Sequence, residues 1–376
     1  MAEAAVLPPL PEFKGRPGWE FTDLTGLDLD SFEPAPPASQ GARPLFEDAP
    51  VPEGIEVFPL DEAPAELRER LLGSVVSPDD PFVARNEARR TGGVLVRVPR
   101  GTQVDGPLVL SAVVDGAAAL NWRTIILVEE GADAEVWEQY LSTDADSKGL
   151  LNTVVEIVVE QNARLRFLSA QQLNEKSLVF GTQRASVARD GTLEWASIGF
   201  GSSSGKVRME TTLDGPGAHA KVTGAYAGLG RQHLDYDTTQ EHAAPNTTSD
   251  LAFRGLLQGR SSSVWRGMIK VDPGAQQTDA FQESRNLLLS KKAHADAIPG
   301  LEIEANDVRC THAAAIAQID ADQLFYLSAR GLPKPTAMRL VIEGFMQELV
   351  ERFQEGPARE VVAGALERRL DELLPA

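Results

Sequence analysis

The sequence predicts a mainly β protein, with a stacked array of strands at its centre and a helical segment at its C-terminal end. Two patterns carry this expectation. From about residue 92, short β-branched apolar runs flank the turn residues Gly101, Gly131, Asn162 and Gly191, which recur at spacings of 30, 31 and 29. From about residue 319, the apolar residues change to helical spacing. Strands at a near-constant period with no helix between them must stack, because one such unit cannot bury its own apolar face. A β-helix and a sandwich of hairpins both satisfy this, and the long interval favours the β-helix.

Each repeat reads as strand, tight turn, strand. Val94 to Val98 and Leu108 to Leu110 flank Gly101, and Thr124 to Val128 and Ala134 to Trp137 flank Gly131. Thr153 to Val159 and Ala163 to Leu168 flank Asn162, and Arg184 to Ala188 and Thr192 to Ala196 flank Gly191. Gly and Asn suit such corners because positive φ costs them little.

Before the repeats, residues 1–90 are rich in proline, as at Pro34, Pro36, Pro37, Pro50 and Pro52, with short apolar pieces such as Trp19 to Leu24 and a helical candidate from Ala63 to Leu72. This reads as a loosely built lobe with extended connectors and no compact core of its own. After residues 91–318, the expected strand core, residues 319–376 predict helices. Asp320 is an N-cap candidate for a helix ending at Arg330, with Gly331 and Pro333 beyond it. A second helix starts near Pro335, with Met338, Val341, Ile342, Phe345, Leu349 and Phe353 on one face. Gly356 and Pro357 separate it from a third, which carries Val362, Leu366, Leu370 and Leu373. This helical cap is expected either to plug the exposed edge of the strand array or to dock a partner.

Composition narrows the function classes. A net charge of −19 argues against sequence-independent nucleic-acid binding, which needs Lys and Arg to displace counterions. Residues 1–80 alone hold 17 Asp/Glu against 5 Lys/Arg, which reads as a solvated surface. No window approaches the ~20 apolar residues of a membrane span. The opening residues hold no basic stretch followed by an apolar run, so no secretory leader is expected. The single cysteine, Cys310, cannot form an internal disulfide, and a reducing, cytoplasmic setting is expected.

Three segments could carry chemistry. Gly199 to Val207 imitates a phosphate-binding loop, but three residues separate Gly201 from Gly205-Lys206 and five separate Gly199, where the loop needs four, and Val207 has no hydroxyl for magnesium, so no nucleotide is expected on this chain. His233, Asp235 and Asp237 alternate on one face of a strand, with Glu241 and His242 nearby. They form a candidate metalloenzyme site, or else a hydrogen-bonded ladder. Cys310 and His312 also alternate, so a strand places a thiol and an imidazole side by side.

The segments His242 to Ser249, Ser261 to Gly267, Gln277 to Ala280, Asn286 to Ser290, Pro299 to Ile303, Asn306 to His312 and Leu324 to Leu332 resemble, in order and spacing, the SufB/SufD family of iron–sulfur cluster assembly proteins, and within it the SufD branch. The Trp19 to Leu24 piece is similar to an N-terminal element of the same branch. The resemblance implies a right-handed parallel β-helix between an N-terminal helical region and C-terminal helices. It implies a scaffold subunit, not an enzyme, paired with a SufB-like paralogue and bound to a SufC-like ATPase, passing clusters to acceptor or carrier proteins. A transient iron–sulfur cluster is implied at the interface of the pair, with His312 and Cys310 as this chain's ligand candidates. The ATPase is implied to dock on residues 318–353, including Leu324, Phe325, Tyr326, Arg330 and Phe345. In SufB a functional cysteine falls at or beside the place of Ser284, so the resemblance implies that sulfur enters through the paralogue.

Overall fold

The computed structural model describes residues 7–11 and 18–374; the opening residues read above for a leader lie largely outside them. Seventeen strands and five α-helices follow one another along the described chain. The strands are β1 (Glu56–Pro59), β2 (Gly92–Val98), β3 (Gln103–Val114), β4 (Ala119–Val128), β5 (Asp133–Ser142), β6 (Leu150–Val159), β7 (Arg164–Gln172), β8 (Leu178–Val187) and β9 (Thr192–Gly199). They continue with β10 (Ser204–Leu213), β11 (His219–Gly228), β12 (His233–His242), β13 (Thr248–Leu257), β14 (Ser262–Val271), β15 (Asp279–Leu288), β16 (His294–Ile303) and β17 (Arg309–Gln318).

From β2 onward, even-numbered strands form one sheet and odd-numbered strands the other, each strand pairing in parallel with the one a coil before it. This is a parallel β-solenoid of about eight turns, as the period predicts. The turns at Gly101, Gly131 and Asn162 therefore carry the chain from one sheet to the other, and no hairpin closes there. The first seven of these corners each place a left-handed residue at the matching position: Gly101, Gly131, Asn162, Asp190, Gly217, Asn246 and Gln277. The N–H of each donates to a carbonyl of the next coil, so the corners form their own hydrogen-bonded ladder. At the fourth corner the left-handed residue is Asp190 and not Gly191, because Asp tolerates positive φ and the ladder sets the position; Gly191 is instead close-packed, 3.0 Å from the Ala188 carbonyl oxygen at its would-be Cβ.

Parallel register stacks like positions into columns through the core. One column runs Val98, Val128, Val159, Val187, Leu213, His242, Val271, Ile303. A column on the other sheet runs Val136, Phe167, Trp195, Val222, Leu251, Gln282, His312. Stacked branched side chains bury nearly all their surface, at roughly 25 cal/mol per Å2 of apolar area.

The N-terminal residues have no core of their own, in line with the sequence reading. Trp19 stacks on Phe82 with ring centroids 5.1 Å apart, in a cluster with Leu150, Leu178 and Phe180 of the solenoid. Two short helices follow, α1 (Ala65–Leu71) and α2 (Pro81–Ala88). The composition gave no sign of α2, which is capped by Asp80, whose carboxylate accepts from the Phe82 and Val83 N–H groups.

The C-terminal helices are α3 (Ala321–Ala329), α4 (Lys334–Val350) and α5 (Pro357–Leu373). Asp320 caps α3 as expected, accepting from the Asp322 N–H. Of the two roles open to the helical cap, plugging the strand edge is not the one α4 and α5 take: they lie across the outer face of the odd-numbered sheet, where Ile342, Met346, Leu349 and Leu366 meet Trp137, Leu168, Ile198 and Leu256. The buried stripe of α4 is likewise Ala337, Ile342, Met346, Leu349 and Val350. Met338, Val341 and Phe345 are only half-buried, and Phe353 falls past the helix. A helix wedged between a sheet and a second helix buries two adjoining faces, which shifts the stripe.

Candidate functional site at the open end of the solenoid

The two ends of the solenoid differ. At the N-terminal end, β1 pairs antiparallel with β2 and covers that edge of the even-numbered sheet, while β3 pairs only with β5 and receives one bond from the preceding segment, Ala38 N–H to Val113 O, with Ala35 N–H to Ala119 O and Ala42 N–H to Ser142 O beside it. At the other end β16 pairs only with β14 and β17 only with β15, leaving both outer edges unpaired. Unpaired strand edges invite pairing with another chain. This edge also carries exposed aliphatic side chains, with Leu301, Ile303 and Ile316 38%, 42% and 45% exposed.

Cys310 and His312 lie in this last layer. The register sets Cys310 opposite Ala280 and His312 opposite Gln282, both buried, so the two side chains occupy inward-facing positions of the uncovered layer. Cys310 is half-buried against a cluster that includes Ile269, Val271 and Ala305. Burial raises its thiol above the ordinary value, and the nearby Asp279 carboxylate adds to the effect. Cys310 is thus mostly protonated at neutral pH, unlike an activated nucleophile. His312 is exposed and has no hydrogen-bond partner among the described residues. Ser284, opposite Ala314 two positions along, is fully buried.

The other candidate cluster does not converge. His233, Asp235 and Asp237 share the outer face of β12, but His242 points inward, into an aliphatic column. An odd separation in a strand puts it on the opposite face. The Asp235 carboxylate is taken up by Lys206 Nζ at 2.8 Å and by the Thr22 hydroxyl, and His233 Nδ1 lies 2.8 Å from Ser262 Oγ. His242 meets Thr247 Oγ1 and Ser249 Oγ at 2.8 and 2.9 Å. The residues form the hydrogen-bonded ladder, and no group of three or more His, Cys, Asp or Glu among the described residues stands in metal-holding geometry. Lys206, the lysine of the imitation phosphate loop, lies within β10 and is buried in its ion pair with Asp235.

The helical residues singled out from sequence divide. On α3, Phe325 and Tyr326 are 74% and 57% exposed, and the Arg330 guanidinium lies over the Tyr326 ring at 4.9 Å. Leu324 is half-buried. Phe345 is engaged within the chain, its ring 5.7 Å from the Arg254 guanidinium of the sheet. No side chain of α3 is fully buried. No described helix is long and apolar enough to cross a membrane.

A parallel β-solenoid with a partly covered first coil, an open last coil and trailing helices is the class these features define. The family model for the SUF system FeS cluster assembly SufBD core domain matches residues 112–345, from β3 through most of α4, and the chain belongs to that family. It is 30% identical to an iron-sulfur cluster assembly SufBD family protein of Mycobacterium tuberculosis, over 80% of this chain and 77% of that one. It is also 30% identical to the iron-sulfur cluster assembly protein SufD of Bacillus subtilis, over 77% of this chain and 67% of that one. The chloroplastic protein ABCI7 of Arabidopsis thaliana is 27% identical over 96% of this chain and 82% of its own length. The family resemblance read from the sequence motifs therefore holds, and the protein is a component of iron–sulfur cluster assembly.

Proposed function

We propose that this chain is a SufD-like scaffold subunit that builds nascent iron–sulfur clusters jointly with a SufB-like paralogue. The observation that carries the reading is the last coil of the solenoid, where β16 and β17 have no outer neighbour and expose Leu301, Ile303 and Ile316, with His312 in that layer. The paralogue covers Leu301, Ile303 and Ile316, extends the two sheets past β16 and β17, and encloses the layer holding Cys310 and His312.

The cluster is the cargo of this site. Clusters are held by about four protein ligands, mostly thiolates, and one cysteine in the whole chain cannot supply them. His312 contributes a ring nitrogen and the paralogue contributes thiolates. Cys310, held protonated by burial and Asp279, is the weaker ligand of the pair. Mixed and shared coordination suits a product that must leave for an acceptor or carrier protein.

A SufC-like ATPase docks on the helices within residues 318–353. The exposed Phe325 and Tyr326, with Leu324 and Arg330 beside them, form the contact, and Phe345 braces α4 against the sheet. The division into an N-terminal region (1–90), a β-helix core (91–318) and an ATPase-docking segment (319–376) follows from this. Nucleotide hydrolysis in the partner moves α3 relative to the open end and loosens the shared site. A reducing, cytoplasmic compartment fits the single thiol.

The test is co-expression of the full chain with SufB-like and SufC-like proteins of the same genome, followed by iron and sulfide analysis of the complex. His312→Ala is expected to keep both partners and lose the cluster. A variant complex with wild-type iron and sulfide content would refute the ligand role.

A further inference from the structure

One corner of the solenoid repeats a cation. The strands β6, β8, β12, β14 and β16 begin at Leu150, Leu178, His233, Ser262 and His294, which stand in one register column with Ser204 of β10. Two positions ahead of these starts lie Lys148, Lys176, Arg231, Arg260 and Lys292, with Lys291 beside the last. Only the corner that enters β10 breaks the series, with Ser202 at that position. Neighbouring coils are ~4.8 Å apart, so cations line one edge of a chain whose net charge is −19.

The series divides in two. Lys148 lies over the Phe32 ring at 5.9 Å, and Lys176 pairs with Asp146 at 2.8 Å. Arg231, Arg260, Lys291 and Lys292 are exposed and make no ion pair or side-chain hydrogen bond among the described residues. Their corners, residues 229–232, 258–261 and 289–293, contain no Asp or Glu. Arg369 of α5 bonds the Ala227 carbonyl and Gln232 Oε1 beside Arg231, but it takes up Glu175 and Glu372 itself. Asp296, near the start of β16, faces His294 Nε2 at 3.1 Å. Like charges opposite one another on neighbouring strands repel, and no carboxylate of these corners offsets that.

The geometry points to Arg231, Arg260, Lys291 and Lys292 as the docking ridge for a partner protein that presents a short acidic segment. Length and charge select the partner. Three coils span roughly 10 Å, which an extended segment of about three or four residues covers, and Arg guanidinium groups match carboxylates with paired N–H bonds. A nucleic-acid strand would run past both ends of the ridge onto an acidic surface, and the three corners hold no aromatic side chain on which bases could stack. Lys292 directly precedes the first residues of β16, so the ridge holds its partner beside the open last coil. The ridge is independent of the ligand role proposed for His312.

The test is fluorescence anisotropy of a labelled hexaglutamate peptide titrated with the full chain at about 20 mM and about 200 mM salt. Binding is expected at the lower salt and is expected to weaken at the higher, where screening is stronger. A fourfold variant, Arg231→Ser, Arg260→Ser, Lys291→Ser and Lys292→Ser, should bind about ten-fold more weakly or worse, the worth of several exposed ion pairs. Lys148→Ser with Lys176→Ser should change binding by less than about two-fold, because those side chains already have partners. The thermal midpoint of the fourfold variant should equal or exceed that of the wild type, since no polar contact is lost, and this separates lost binding from lost folding. No binding by the wild type at the lower salt would overturn the inference, as would tighter binding of an oligothymidylate than of the peptide; neither result needs a variant. Wild-type affinity in the fourfold variant, or an equal loss in the Lys148 and Lys176 variant, would overturn it too.

Discussion

Cys310 and His312 are two residues apart on one strand, yet the last coil gives them different chemistry. Cys310 packs into the end of the core, and its thiol is held above the ordinary value. Alkylation of the full chain by iodoacetamide at pH 7 should therefore run more slowly than that of a free cysteine peptide; an equal or faster rate would contradict this account. His312 has no such cover. Elsewhere, His242 is fully buried in an aliphatic column with both ring nitrogens hydrogen-bonded, and burial lowers its pKa from 6.5 to about 4. The unfolded chain thus takes up this proton first as the pH falls. The stabilisation is complete above pH 6.5 and is lost between about 6.5 and 4, amounting to roughly 3 kcal/mol at most. Burial lowers His219 and His233 as well, so each adds stability that is lost as the pH falls below 6.5. Urea unfolding at pH 7 and pH 5 should show a smaller pH effect in His242→Gln than in the wild type; equal pH effects would exclude His242 as a source. The same-face placement of Cys310 with His312 was legible in their spacing.

At the level of elements, the corner residues made the strands readable, since the first seven corners each hold a residue at positive φ and Gly or Asn usually supplies it. Asp190 and Gln277 supply it at two corners, where a neighbouring Gly191 or Gly274 marks the turn instead. The facing of β12 was readable as well, but the cations that occupy its carboxylates were not. Lys206 lies on the coil before and Arg266 on the coil after, and only the register brings them beside Asp235 and Asp237. That same ladder holds the N-terminal segment, through Thr22 to Asp235 and Glu20 to Arg266. Asp235→Ala removes the 2.8 Å partner of the buried Lys206 ammonium and leaves it only Asp237 Oδ2 at 3.6 Å, so the loss approaches that of a broken buried pair, about 3–5 kcal/mol. Chemical denaturation should show a loss of that order, whereas a loss within experimental error would mean that water replaces the carboxylate. Of the buried stripe of α4, Ile342 and Leu349 were legible, while Ala337, Met346 and Val350 escaped the sequence for the same reason as the carboxylate partners: a second packing surface, α5, is set by tertiary structure.

At the scale of the whole molecule, the period announced the solenoid, but not how far each end would be covered. The partial cover of the first coil depends on irregular residues 35–42 and on β1, whose sequences carry no repeat. The helices that seemed suited to plug the far end lie on the sheet face instead, and this leaves β16 and β17 bare. The central claim is that this open end is completed by a paralogous chain. The most direct measurement is size-exclusion analysis of the chain co-expressed with a SufB-like protein, comparing wild type with a Leu301→Asp, Ile316→Asp double variant. Both side chains are already exposed in the single chain, so the thermal midpoint of the variant alone should stay close to that of the wild type. The account predicts that the variant elutes without the paralogue. Co-elution of a folded variant with the paralogue, in wild-type proportion, would contradict it.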